Sequence, residues 1–200
     1  MKIYLKLKNS LYFRILRLYY KNKCKNFGNK SVILHPLKID GIENISIGNN
    51  VYIAYKTWLA AMPLTGEEKC ELIIGDGTSI GHFNHIYATK SIIIGKNVLI
   101  ADKVYISDNL HSYEDISVPI IKQKIKQIGT VTIGDGSWLG ENVCLIGAKI
   151  GKNCVIGANS VVTKDIPDYC VAVGSPASII KRYCFDKNQW IKTKKDESFN

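Results

Sequence analysis

An aliphatic residue recurs every six positions through most of the chain. The series is Ile47 and Ile53, then Ile74, Ile80 and Ile86, Ile94, Ile100 and Ile106, Ile133, Leu139 and Leu145, and Ile150, Ile156 and Val162. The frame slips by two residues before Ile94 and closes up by one before Ile150. A helix is excluded, because a 3.6-residue period scatters positions i and i+6 over different faces. Plain strand alternation has no reason to place Gly second in the step, as in Ile47-Gly48, Ile74-Gly75 and Ile80-Gly81. A strand of four or five residues followed by a tight turn explains both features. The aliphatic residue points inward, Val98, Val104, Val143 and Val161 fill a neighbouring layer, and Gly, Asn or Asp takes the turn. Such flat-sided steps stack into a parallel β-helix, an all-β solenoid whose two ends need caps.

Two segments interrupt the frame. One follows Ile53 and holds Pro63, Gly66, Glu67 and Glu68; the other, Ser107 to Gly129, holds His111 with Asp108, Glu114 and Asp115. A loop projecting at about 107–129 from a rigid solenoid is a natural place for chemistry.

Residues 1–39 depart from the pattern differently. They hold ten Lys and Arg and no Asp or Glu, whereas residues 40–200 hold seventeen of each sign, so the net charge of +10 is N-terminal. Lys6, Lys8, Arg14 and Arg17 break any apolar run before a secretory signal core forms, and the segment lacks the about 20 apolar residues that span a bilayer. Arg14, Arg17, Lys21 and Lys25 share one helical face, with Leu11, Tyr12, Ile15, Leu16, Leu18 and Tyr19 over much of the rest, which predicts a basic amphipathic helix. Two compatible readings follow. One is a surface helix touching anionic lipid or a lipid-linked acidic substrate through residues 1–30; the other is a helix packed across the end of the solenoid with its charges solvated. Nucleic acid is not an expected partner, because the basic residues form one short segment without a binding module.

Six cysteines, Cys24, Cys70, Cys144, Cys154, Cys170 and Cys184, form no CxxC pair and have no histidine at zinc-like spacing. Neither a structural metal nor a disulfide framework is expected, and the chain reads as cytoplasmic with reduced thiols, acting in solution or at the inner face of the membrane. The expected division is a basic helical segment over 1–39, the β-helix over 40–183 and a polar tail over 184–200.

The stretch Ile133 to Lys181, ending IGANSVVTKDIPDYCVAVGSPASIIK, resembles the hexapeptide-repeat acyltransferases, and within them the branch that O-acetylates sugars and bacterial polysaccharides. The VVTKDIP exit and the VGSPA turn carry more of the likeness than the repeat, which alone specifies only the fold. The resemblance spans roughly residues 40–183. It implies a left-handed β-helix and a homotrimer with active sites in the clefts between neighbours. It further implies acetyl-CoA as donor and a sugar hydroxyl as acceptor, in capsule, O-antigen or related surface-glycan biosynthesis.

Acetyl transfer from a thioester to a hydroxyl needs a base, donors for the developing oxyanion and a groove for the long cofactor. The chain has four histidines, His35, His82, His85 and His111, and the resemblance makes His111 the general base. The family's Asp-His-x-His pattern has Asn109 here in place of its first histidine. Asp108, Glu114 and Asp115 are candidates to orient the imidazole, with ordinary solvated carboxylates as the competing reading. The acceptor set is Asn84, which matches an acceptor-contacting Asn, with His85, Asp108 and Tyr113. For the cofactor, Trp138 offers an apolar wall to the pantetheine arm. Gly140, Glu141 and Ala158 match positions whose backbone meets the thioester, and Thr163 and Lys164 match the family's cofactor-binding pair. Where the family often carries two arginines, this chain has Ser178 and Lys181, with Arg182 beside the latter.

Other readings stay open at this stage. Antibiotic or amino-sugar N-acetyltransferases share the fold and differ in the acceptor, although the sugar-nucleotide enzymes commonly carry a larger N-terminal nucleotide-binding domain. A γ-type carbonic anhydrase would enlist His82, His85 and His111 around zinc. That family's separated histidine pair is missing here, its chains lack the VVTKDIP and VGSPA ending, and no metal is expected.

Overall fold

The computed structural model describes residues 2–194, with side chains from Phe13 onward. A helix, Lys2–Lys23, leads into a column of parallel strands two to four residues long. They form three sheets of six, nine and six strands, one on each side of a triangular coil, and a small two-stranded sheet stands apart.

Strand register follows the six-residue frame. Ile47, Ile74, Ile94, Ile133 and Ile150 are successive neighbours along the first sheet. Ile53, Ile80, Ile100, Leu139 and Ile156 are neighbours along the second, and Leu59, Ile86, Ile106, Leu145 and Val162 along the third. All of them are at most 2% exposed. Each coil therefore sets like side chains on like, about 4.8 Å apart, and a rigid wall results.

The glycine after each aliphatic residue is required by the approach of adjacent coils. A Cβ on Gly75 would lie 2.6 Å from the carbonyl carbon of Gly95. The left-handed backbone falls two residues later, on Asn50, Gly77, Asn97, Gly136 and Asn153, residue types that adopt it at low cost. Inward-facing polar residues then tie one coil to the next. Thr78 Oγ1 donates to Gly95 O at 2.8 Å and accepts Val98 N at 3.1 Å, and Ser137 does the same with Gly151 O and Cys154 N at 2.7 and 3.0 Å. Val98, Val104 and Val143 are buried beside the corners as expected. Val161 is not in that layer: Ser160 takes the inward position, and Val161 pairs with Cys144 on the outer face.

The expected boundaries move at both ends. A first coil begins within the segment assigned to the helix and ends at Asp40, with Asn26–Phe27, Val32–Ile33 and Lys38–Asp40 in register with the coil above. Phe27 in the aliphatic position hid that repeat. At the other end, Ser178–Cys184 and Gln189–Lys192 extend the second sheet as an antiparallel hairpin, so this part of the tail is ordered strand; residues 195–200 lie outside the described residues. The helix caps the first coil through Tyr20, buried and stacked on Phe27 at 5.7 Å, and through Leu16. Lys25 lies beyond its last turn, and the side chains of Leu11 and Tyr12 lie outside the described residues. Among the described residues no helix is long and apolar enough to cross a membrane.

Candidate active site

The chain leaves the coil after Ser107. Asn109–His111 pairs antiparallel with Ile125–Gln127, His111 opposite Ile125, so the excursion is a two-stranded arm with a 3₁₀ turn at Ile120–Lys122 near its tip. Asp108 locks its base. The buried carboxylate accepts the N–H and hydroxyl of Thr89 on Oδ1 at 2.8 and 2.9 Å, and the N–H groups of Lys90 and Ser91 on Oδ2 at 2.8 and 2.9 Å. Asn109 Nδ2 adds a fifth bond at 3.0 Å. Asp108 was expected at the acceptor or behind His111, and it reaches neither, because its acceptor capacity is committed inside the wall. Asp108→Ala leaves three backbone donors without their acceptor, the Thr89 N–H among them buried, a loss of about 2–4 kcal/mol. At about 2–4 °C per kcal/mol for a chain of this size, the expected result in scanning calorimetry is a melting temperature roughly 10 °C lower.

His111 is exposed, and its imidazole makes no hydrogen bond among the described residues. Glu114 does not orient it: Lys126 pairs with this carboxylate across the arm and holds its pKa down to about 2. Nor does Asp115, which accepts the N–H and hydroxyl of Ser117 at 2.9 and 2.6 Å. Tyr113 lies beyond, 65% exposed, and the arm carries Ile116 and Ile121 at 100% and 88% exposed.

Asn84 is 1% exposed. Its Nδ2 donates to Ala101 O at 3.0 Å and its Oδ1 accepts Val104 N at 2.7 Å. It is thus the coil-bridging counterpart of Thr78 and Ser137 at another corner, and its amide is not presented to an acceptor as expected. His85 does face outward, from the third sheet. It stacks on Trp58 at 4.3 Å and 7°, with Tyr87 at 5.9 Å and the edge of Tyr105 at 5.3 Å. Burial among these rings lowers its pKa, which keeps the imidazole neutral at neutral pH. Among the described residues its buried Nε2 has no hydrogen-bond partner, while Trp58 Nε1 donates to Asp40 at 2.8 Å. Trp58 was not singled out in the sequence; its place one coil from His85 becomes visible once the register is known. His82 stands at the second corner, where the second sheet turns into the third, its Nδ1 3.2 Å from Asp102 Oδ1. Among the described residues no group of three His, Cys, Asp or Glu side chains is arranged to hold a metal.

The cofactor candidates fall on the second sheet and on two edges of the solenoid. Leu99, Trp138, Val155, Val171 and Lys181 are successive neighbours along the outer face of the second sheet, an apolar track ending in a cation, with Trp138 47% exposed. Arg182 follows Lys181 opposite Cys170. Gly140, Glu141 and Ala158 form the second corner. Gly140 donates its N–H to Ile156 O at 2.8 Å and admits no side chain, since a Cβ would lie 2.7 Å from Ala158 N. The N–H groups of Glu141 and Ala158 have no acceptor among the described residues and sit on exposed turns. The Glu141 carboxylate is paired with Lys103 at 2.8 Å. Thr163 and Lys164 occupy the third corner, between the third and first sheets, exposed and two coils beyond the corner that launches the arm.

A family model described as the hexapeptide repeat of succinyl-transferase matches residues 130–164. The chain is 32% identical over 185 residues to the putative lipopolysaccharide biosynthesis O-acetyl transferase WbbJ of Escherichia coli K12, covering 89% of this chain and 88% of that one. A maltose O-acetyltransferase from Clostridium difficile 630 superposes with a TM-score of 0.55 at 28% identity, over 82% of this chain and 72% of that one. AntD, an N-acyltransferase from Bacillus cereus, superposes with a TM-score of 0.67 at 21% identity, over 81% of this chain and 85% of that one, a likeness of fold. Repeat, arm and exit together define a left-handed β-helix acyltransferase. The chain belongs to the hexapeptide-repeat acetyltransferase family.

Proposed function

We propose that the protein transfers the acetyl group of acetyl-CoA to a sugar hydroxyl in surface-polysaccharide biosynthesis, on the cytoplasmic side of the membrane, as a homotrimer with sites between subunits. The reading rests on the separation of the machinery between two edges. The third corner bears the arm with His111 and, farther along, Thr163 and Lys164. The second corner bears the free N–H groups of Glu141 and Ala158 beside the Trp138 track. Within one chain the third sheet separates them by about 13 Å, four residues at ~3.3 Å each; a threefold neighbour joins one edge to the other. Ile116, Ile121 and Leu99 supply exposed apolar surface for that contact. The relatives point the same way: WbbJ is named for lipopolysaccharide biosynthesis, and the AntD structure holds 3-hydroxybutyryl-CoA.

In this reading the pantetheine arm lies along Trp138, Val155 and Val171, and Lys181, Arg182 and the neighbour's third-corner cation meet the CoA phosphates. His111 takes the proton of the acceptor hydroxyl as its oxygen attacks the thioester carbonyl. The N–H groups of Glu141 and Ala158 donate to the tetrahedral oxyanion, about 3 kcal/mol of barrier per well-aimed donor. Collapse breaks the C–S bond, and the imidazolium returns its proton to the departing thiolate. His85 and Tyr113 line the acceptor side, with the Trp58 stack as an apolar platform for a sugar ring.

The test is transfer of radiolabelled acetyl from acetyl-CoA to oligosaccharides derived from lipopolysaccharide and capsule. Label released as acetate by mild alkali is expected, since an ester forms. Label that survives alkali marks an amide and overturns O-transfer, and no label on any sugar overturns the reading altogether.

A further inference from the structure

Between the last turns of the helix and the first coil lies a cavity of about 340 Å³ lined by Arg14, Arg17, Leu18, Lys21, Phe27, Gly28 and Asn29. Phe27 is buried and forms its apolar floor; three cations form its wall. Arg17 Nε donates to Ser31 O at 3.3 Å, which fixes the guanidinium and leaves its two terminal nitrogens free to donate. Among the described residues no carboxylate pairs with Arg14, Arg17 or Lys21, and residues 1–39 contain none to offer. Three uncompensated cations around one cavity, two of them planar forks, match the oxygens of a phosphate or diphosphate.

The same helix says where that phosphate comes from. At about 100° per residue, Leu16 and Tyr20 face the coil, Arg14, Arg17 and Lys21 share the next arc, and Ile15, Leu18 and Tyr19 occupy the arc beyond. These last three are 58%, 64% and 55% exposed, an unpartnered apolar strip bordered by the cationic wall. An apolar strip beside cations is the arrangement of a helix lying in a membrane interface, where the strip enters the acyl boundary at the depth at which headgroup phosphates meet the cations.

We propose that this pocket binds the phosphate of an anionic lipid headgroup, with Ile15, Leu18 and Tyr19 seated in the bilayer surface. The site is separate from the acyl-transfer machinery and does not depend on the acceptor. It lies at the helix-capped end of the solenoid, so it holds that end against the membrane.

The test uses the full chain in vesicle flotation, with phosphatidylcholine alone and with phosphatidylglycerol added, and soluble inorganic diphosphate as competitor. Binding is expected only to the anionic vesicles, weakened by diphosphate. Arg14→Gln with Lys21→Gln should reduce vesicle affinity roughly 30-fold, at about fivefold per cation removed, and Leu18→Asn should also reduce it. Both variants keep the Tyr20 and Leu16 packing and should acetylate a soluble oligosaccharide at the parental rate, so loss of docking and loss of the acyl-transfer reading are told apart. Equal binding to neutral vesicles, or anionic binding unchanged by the double substitution, overturns the proposal. Diphosphate binding without any vesicle binding overturns the lipid source and leaves a soluble-anion site.

Discussion

His111→Ala should lower kcat for acetyl transfer by about 10³-fold, within the range of about 10²–10⁴ for loss of a positioned general base, while KM for acetyl-CoA stays near its parental value. The split follows from the site. The cofactor track is built from the second sheet and its corner, whereas the arm leaves from the end of the third sheet. Removing the imidazole takes away a proton acceptor without disturbing the groove. The fold is not at stake, because His111 is exposed and Asp108, which locks the arm, is untouched. A parental rate in His111→Ala would pass the base role to another group. The first to examine is His82, whose imidazole already has Asp102 at 3.2 Å.

Mixed trimers should regain activity that neither parent has. Ala158→Trp places a bulky side chain on an exposed turn beside the free N–H groups and closes the thioester site, while His111→Ala leaves that site open. If each active site takes its base from one subunit and its groove from the next, random co-assembly at equal amounts completes one pairing in four, and about one quarter of the parental activity returns. If base and groove belong to one chain, every mixed trimer stays inactive. Refolding the two variants together, with sedimentation to confirm assembly, separates these outcomes.

The repeat was legible because it is redundant. A frame that resets on Ile74, Ile94, Ile133 and Ile150 survives any single irregular step, and the structure pairs these residues along one sheet. Where a coil carries one atypical residue the frame disappears from view, as at Phe27, and the first coil was read as part of the helix. Val161 was misplaced for a related reason: a serine can serve as an inward residue when it bridges coils, and composition does not reveal that.

Site residues divided according to what their polar atoms face. Asn84 is expected at the acceptor by resemblance, and Asp108 because it stands three residues before His111 where the chain leaves the repeat. In three dimensions their oxygens meet backbone N–H groups of adjacent coils, whose distance in sequence conceals their proximity. His85 and Trp58 are 27 positions apart and stack because coils are superposed with an insertion between them.

By itself, the sequence determined the solenoid, its six-residue step, the basic character of the N-terminal segment and the point where the arm leaves, because each of these follows from spacing or charge that local chemistry reads directly. Only the tertiary structure decided which polar groups the wall consumes, which N–H groups it leaves free at Glu141 and Ala158, that the groove and the arm lie on different edges, and that three cations surround one cavity. These depend on which coil lies above which, and that order is set by insertions and register across many residues.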